Sequence, residues 1–189
     1  MDTSISTAPA LSGIHHNAMV TWDPEGTIAF YRDVLGFPIV HCITAKGWGQ
    51  EGHADFVHLF FDAGNDTILA FFYYFGVEAR DVSSRDYVDN GRHIALKAAD
   101  RAALDSWRTH LKEAGINVSP VVDHEVISSI YYTDPNGYPS EITCPLRELN
   151  AADAADAERT IDALLAARAA GEDTAEAMWR HKGAALAAE

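Results

Sequence analysis

An internal repeat restricts the folds available to this chain more than any other feature of its sequence. The stretch His16–Ala18 matches His93–Ala95 at an offset of 77 residues, and Asp23 matches Asp100 at the same offset. Each half has the hydrophobic pattern of one strand, one helix and three further strands. A unit of this size has an apolar sheet face that it cannot cover alone, so we expect the two halves to pack together.

The repeat predicts an α+β fold in which two βαβββ modules form a curved mixed sheet around a cavity. We place the first module at about residues 13–75 and the second at 92–146, joined by a linker at 76–91. Residues 1–12 are small and polar, which is typical of a flexible tail. Beyond them, residues 147–189 are rich in Ala, Glu, Asp and Arg, which predicts a helical extension used for packing or oligomerisation.

Charge and composition limit the partners and the compartment. The formal net charge is −14, from 14 basic and 28 acidic residues, which argues against nucleic acid or an anionic membrane as a partner. No apolar stretch is long enough to span a bilayer, and the first residues do not have the pattern of a secretory signal. Cys42 and Cys144 lie far apart, which favours two reduced thiols. We therefore expect a cytoplasmic protein.

The repeat also predicts metal ligands. His16 and His93 occupy equivalent positions on the first strand of each module, so both should face the cavity. His15 should point to the opposite face, because successive strand residues alternate. Glu141 in the last strand is the candidate third ligand. Two imidazoles and one carboxylate with open positions suit non-heme iron(II), whereas the alternative for each residue is an ordinary polar side chain in a strand.

Two stretches resemble the vicinal oxygen chelate superfamily, which includes glyoxalases, fosfomycin-resistance enzymes, bleomycin-binding proteins and extradiol dioxygenases. The first stretch is Ile14–His16 followed by Ala29–Phe37, which reads AFYRDVLGF. The second runs from Val122 to Glu141. The resemblance covers residues 13–146 and implies the same three metal ligands, with the metal inside the cavity between the modules.

The second stretch is similar to the signature of type I extradiol ring-cleaving dioxygenases. It contains His124, then Tyr131, then the turn Asp134–Gly137 and finally Glu141. This resemblance implies that His124 and Tyr131 hydrogen-bond the diol and bound oxygen beside the metal. Such groups can donate protons or hydrogen bonds as negative charge develops. The alternative is that Tyr131 is a core aromatic residue and His124 an ordinary loop residue.

The chain departs from that signature in one respect. The two-domain enzymes have a further acid–base histidine near the start of the last strand of the first half of their catalytic domain, and no histidine stands there in this sequence. Asp66, His53 and His58 are the open alternatives for this role.

Aromatic residues supply candidate pocket walls. About half of the run from Phe71 to Phe75 should face the cavity, because strand residues alternate, although the run is equally consistent with a hydrophobic core. Trp48, in the Gly-rich loop at 45–54, is an exposed candidate.

Together these features predict an iron(II)-dependent extradiol-type dioxygenase that cleaves a catechol-like ring. Its partners would be a small aromatic diol and dioxygen, and we expect a homodimer or a higher homo-oligomer. The alternatives are a manganese(II)-dependent thiol transferase of the fosfomycin-resistance kind and a small-molecule-binding protein of the same fold. The transferase should have cationic residues near its anion, but the stretch 123–126 is acidic, and a binding protein needs no metal ligands. A glyoxalase needs a second carboxylate where this chain has Leu69–Phe71.

Overall fold

The computed structural model describes residues 14–47, 51–81 and 91–187. It has two four-stranded mixed sheets with helices packed on them, so the predicted α+β fold built from two modules is confirmed. The predicted tail at 1–12, most of the linker and Trp48 lie outside the described residues.

Sheet A belongs to the first module, and its strands lie in the order β1-β4-β3-β2 with β1 parallel to β4. The helix of this module begins where the Asp23 side chain accepts a hydrogen bond from the Gly26 amide, with a proline in its first turn. The elements are β1 (His16–Val20), α1 (Pro24–Ile28), which continues as a π-helical segment (Ala29–Val34), β2 (Ile39–Ala45), β3 (Phe56–Asp62) and β4 (Ile68–Tyr74).

Sheet B repeats this arrangement in the order β5-β8-β7-β6, with β5 parallel to β8. Its elements are β5 (Ile94–Lys97), α2 (Arg101–Glu113), β6 (Val122–His124), β7 (Ile127–Thr133) and β8 (Pro139–Pro145). The sequence places a strand near 117–122, whereas β6 begins at Val122. The Ser119 amide donates to the Tyr131 carbonyl, but the Tyr131 amide donates to the Ser119 hydroxyl and not to a backbone carbonyl. Pro120 has no amide hydrogen to donate, so the regular strand pairing begins only after it.

One hydrophobic core lies between the two modules. We call the faces that contribute to it the closed faces of sheets A and B. The core contains residues of both closed faces and of both helices, chiefly Phe30, Tyr31, Leu59, Phe61, Leu69, Phe71, Leu104, Leu111, Ile130, Tyr132, Ile142 and Cys144. The closed faces meet around Tyr31, which lines a small space together with Leu69 of sheet A and Ile94 of sheet B.

The opposite face of each sheet is its open face. Because strand residues alternate, the open face of sheet A carries His16, Ala18, His58, Phe60, Phe72 and Tyr74, and that of sheet B carries Ala95, Lys97, Ser129, Tyr131, Glu141 and Thr143. Each open face is therefore the side of its sheet that faces away from the shared core.

Polar contacts also join the modules at the Asp134–Gly137 turn. The Tyr31 hydroxyl donates to Oδ2 of Asp134 at 2.9 Å, and the Thr21 hydroxyl donates to Oδ1 of Asn136 at 2.8 Å. The Tyr138 hydroxyl donates to the carbonyl of Val20 at 3.0 Å. The turn that precedes Glu141 is therefore anchored to the first module.

Replacing Tyr31 with phenylalanine should lower the free energy of unfolding by about 1–3 kcal/mol, because the buried Asp134 carboxylate loses a donor. Urea denaturation measures this change. Tyr73→Phe is the matched control, since the Tyr73 hydroxyl makes no hydrogen bond within the described ranges, and it should leave the free energy of unfolding nearly unchanged. Equal stability of both variants would contradict the assigned role of this contact.

The C-terminal extension is helical, as predicted. It consists of α3 (Ala151–Ala169) and α4 (Ala175–Leu186), and α3 begins with a capping box formed by Asn150 and Asp153. The two helices pack on each other through buried alanines, while Ile161, Leu165 and Trp179 stay at least half exposed. No helix within the described ranges is long and apolar enough to cross a membrane.

Candidate metal centre

Two predicted ligands meet on the open face of sheet B. Nε2 of His93 lies 2.8 Å from Oε2 of Glu141. His93 directly precedes β5, and Glu141 lies in β8 opposite Ala95. Glu141 is 4% exposed, although it faces away from the core. Donor atoms with metal bonds of about 2 Å lie about 3 Å apart, so this arrangement fits two neighbouring ligands of one ion.

The other two predicted site residues lie beside this pair. Tyr131 stands opposite Glu141 across the β7–β8 ladder, and its hydroxyl is 2.8 Å from Nε2 of His124. The ring of His93 meets the ring of Tyr131 edge-on at 6.1 Å. Burial raises the pKa of Tyr131, so its phenol keeps its proton at neutral pH. His93, Glu141, Tyr131 and His124 thus form one continuous polar group.

His16 does not join this group within one chain. It is exposed on the open face of sheet A, where its ring lies 6.0 Å from Phe60 and 6.4 Å from His58. Its Nδ1 is 2.9 Å from Nδ1 of His15. His15 precedes the strand, so the alternation of strand residues that would turn it to the opposite face does not apply to it. In the part of the chain that the structure describes, no three His, Cys, Asp or Glu side chains are arranged to hold a metal ion.

The three acid–base alternatives differ in position. Asp66 lies exposed in the β3–β4 turn with φ of 59°, and Nδ1 of His53 contacts the carbonyl of Ala54 at 2.8 Å. His58 stacks on Phe72 with ring centroids 3.5 Å apart. Its buried Nε2 makes no hydrogen bond among the described residues. Of the three, only His58 lies beside a predicted metal ligand, His16.

The aromatic run Phe71–Phe75, most of which lies in β4, is divided between the two faces of sheet A. Phe71 is fully buried in the core, while Phe72 and Tyr74 stack in parallel 5.5 Å apart on the open face. Phe75 is 52% exposed. The run therefore supplies both core and open-face aromatic residues, as the alternation predicts.

Burial lowers the pKa of His58 from 6.5 to about 4, with a smaller contribution from the charge of His16. The unfolded chain binds this proton more readily than the folded chain, so the free energy of unfolding should fall as the pH drops from 6.5 to about 4. His58→Phe should remove this part of the pH dependence. Urea denaturation at pH 7 and pH 4.5, with a chelator present, measures it, with the exposed His41→Phe as control. An unaltered pH dependence in His58→Phe would contradict the neutral imidazole.

The family model of the Glyoxalase/Bleomycin resistance protein/Dioxygenase superfamily matches residues 13–142, so the chain belongs to this superfamily. This confirms the resemblance to the vicinal oxygen chelate superfamily. A search of curated proteins found no match.

Solved structures share the fold at low sequence identity. A glyoxalase family protein from Enterococcus faecalis is 23% identical with a TM-score of 0.54, covering 70% of this chain and 97% of that one. The antibiotic-binding protein TnmS3 from a Streptomyces species is 18% identical with a TM-score of 0.52, covering 73% and 99%. The fosfomycin resistance protein FosX from Listeria monocytogenes is 17% identical with a TM-score of 0.51, covering 71% and 94%. These similarities extend to the fold alone.

Proposed function

We propose that this protein is an iron(II)-dependent extradiol-type dioxygenase that cleaves the ring of a catechol-like compound. The observation that carries the proposal is the continuous group formed by His93, Glu141, Tyr131 and His124 on the open face of sheet B. It places two metal-type donors beside a phenol and an imidazole, in the order that the resemblance to the ring-cleaving enzymes implies.

The donor set fits iron(II). The imidazole of His93 and the carboxylate of Glu141 fill two positions of a two-histidine, one-carboxylate set, which leaves open positions for a diol and for dioxygen. His16 is the remaining imidazole of the predicted set. Bound iron(II) would supply Lewis acidity toward the diol and electron transfer to dioxygen.

Tyr131 and His124 then act on protons next to the metal centre. The Tyr131 phenol keeps its proton at neutral pH and can donate it as a hydrogen bond toward oxygen atoms that gain negative charge. His124, at 2.8 Å from the phenol oxygen, holds the hydroxyl in place and can exchange a proton with it. Burial of Glu141 keeps bulk water away from the carboxylate.

The complete site needs a second copy of the chain. The ring contacts of His16 lie within sheet A, and among the described residues His16, His93 and Glu141 are not arranged to hold one metal ion, so one chain does not bring them together. The open face of sheet A also exposes part of Phe60, Phe72 and Tyr74, which another open face would cover. A homodimer in which the open face of sheet A covers that of sheet B in the partner would complete two identical sites.

The test is anaerobic purification, metal analysis, and oxygen uptake after adding iron(II) with a small panel of catechols. We expect bound iron, oxygen consumption and a yellow ring-fission product. Tyr131→Phe should keep the iron but slow turnover by about 10²–10⁴-fold, as loss of a proton donor predicts.

Other outcomes would overturn the proposal. Manganese binding together with thiol addition to an epoxide would indicate the transferase instead. Tight binding of aromatic compounds without metal or turnover would indicate a sequestering protein.

A further inference from the structure

A cavity of about 560 Å³ opens on sheet B next to the candidate metal centre. Its lining includes His93, one of the candidate ligands, and Tyr131 beside it. It also includes Asn117 and Ser119 of the segment between α2 and β6, with Ser119 hydrogen-bonded to the Tyr131 backbone, and Thr133 at the end of β7. All lining residues belong to the second module, so the cavity exists before any second copy binds.

We propose that this cavity binds a bulky neutral substituent of the catechol, such as a second ring, and that the preferred substrate is therefore an uncharged diol with more than one ring. This inference rests on the proposed function, because it takes the diol to be held beside His93 and Glu141. The substituent then extends past Tyr131 toward Thr133 and Asn117.

The volume supports a large substituent. A cavity of about 150 Å³ is enough to hold one benzene ring, so 560 Å³ is several times what a single ring needs. It also falls within the range of about 300–1,000 Å³ that is typical of small-molecule sites. A single-ring catechol would leave most of this space to water.

The chemistry of the lining supports a neutral substituent. Apart from His93, the lining has no Lys, Arg, Asp or Glu side chain, and its polar groups are amides and hydroxyls such as those of Asn117 and Thr133. A carboxylate placed there would lose its hydration and find no Lys or Arg side chain in the lining, because the Arg108 guanidinium next to Ser119 donates to the Ser119 carbonyl. The net charge of −14 also disfavours anions.

The cation on this open face lies on the other side of the metal ligands. Lys97 is two residues beyond Ala95, the partner of Glu141, whereas His93 is two residues before it. Lys97 lies opposite Thr143 in the sheet, and Thr143 lies opposite Ser129, so these three residues form one row across the strands. Lys97 therefore lies one row beyond Glu141 and does not line the cavity, so it provides a matched control position.

The first test compares kcat/KM for catechol, 3,4-dihydroxybenzoate and 2,3-dihydroxybiphenyl. Burying an aromatic ring contributes about 1.5–3 kcal/mol, so the two-ring diol should exceed catechol by about 10–100-fold, with the benzoate lowest. Thr133→Trp and Asn117→Phe fill the cavity and should remove this preference. Lys97→Met should leave the order of the three substrates unchanged. A preference for the benzoate that Lys97→Met abolishes would overturn the inference.

The second test uses binding without turnover. Titration calorimetry of the iron-free protein with 2-hydroxybiphenyl should show binding that is at least about tenfold weaker in Thr133→Trp, since the cavity is filled. Binding with this dependence but without oxygen uptake would support the cavity and overturn the dioxygenase. Oxygen uptake with no preference for the two-ring diol, and no binding of 2-hydroxybiphenyl, would overturn the cavity assignment and leave the dioxygenase standing.

Discussion

Replacing Glu141 with glutamine should remove bound iron and abolish oxygen uptake. The amide has nearly the same shape as the carboxylate but has no negative charge, and it replaces the anionic donor 2.8 Å from His93. Loss of a residue that only orients a ligand already weakens metal binding by about 10–100-fold, so loss of the ligand itself should exceed this range. Metal analysis after dialysis against a weak chelator, together with oxygen uptake, measures the effect.

The matched control is Glu125→Gln, the same substitution at an exposed position in the β6–β7 turn of the same module. It should keep both the iron and the activity. A Glu141→Gln protein that unfolds at the same urea concentration as the unmodified chain, yet still holds a full equivalent of iron, would show that Glu141 is not a ligand.

Mixing two inactive variants should restore activity if the site is shared between chains. His16→Ala lacks the ligand on sheet A, and Glu141→Gln lacks the ligand on sheet B. In a heterodimer of the two, one site combines an intact His16 with an intact Glu141, while the other site carries both defects. Random pairing after joint refolding should therefore return about a quarter of the unmodified activity, from a background near zero.

Two controls make this result decisive. Each variant is refolded alone in the same way, and a double variant with both substitutions on one chain is mixed with the unmodified protein. If His16, His93 and Glu141 came together within one chain, the mixture of single variants would stay inactive. Recovery of activity in a mixture that remains monomeric would also contradict the shared site.

The repeat predicted the two modules, and the repeat and the resemblance together predicted which polar side chains lie near one another on sheet B. The pairing of His93 with Glu141 follows from their places on the first and last strands of one module, which are neighbours in the sheet. The contact between His124 and Tyr131 follows from the resemblance, with both residues on adjacent strands. These are local relations within one module, and the pattern of residues along the chain is enough to predict them.

The packing of one module on the other was beyond what the sequence pattern could predict. Both faces of sheet A are apolar, because Phe60 and Phe72 lie on one face and Phe61 and Phe71 on the other. Hydrophobicity therefore does not say which face meets the core, and the expectation that His16 would face His93 depended on that choice. The sequence pattern also did not predict the contact of Tyr31 with Asp134, because Asp134 appears in the sequence only as a turn residue.

A site shared between two copies would have a consequence for assembly. In a two-fold homodimer each chain would present its sheet A to the sheet B of its partner and receive the same contact in return, so the two sites would form together or not at all. If each site draws on two copies, specific activity should also depend on protein concentration and decline on dilution.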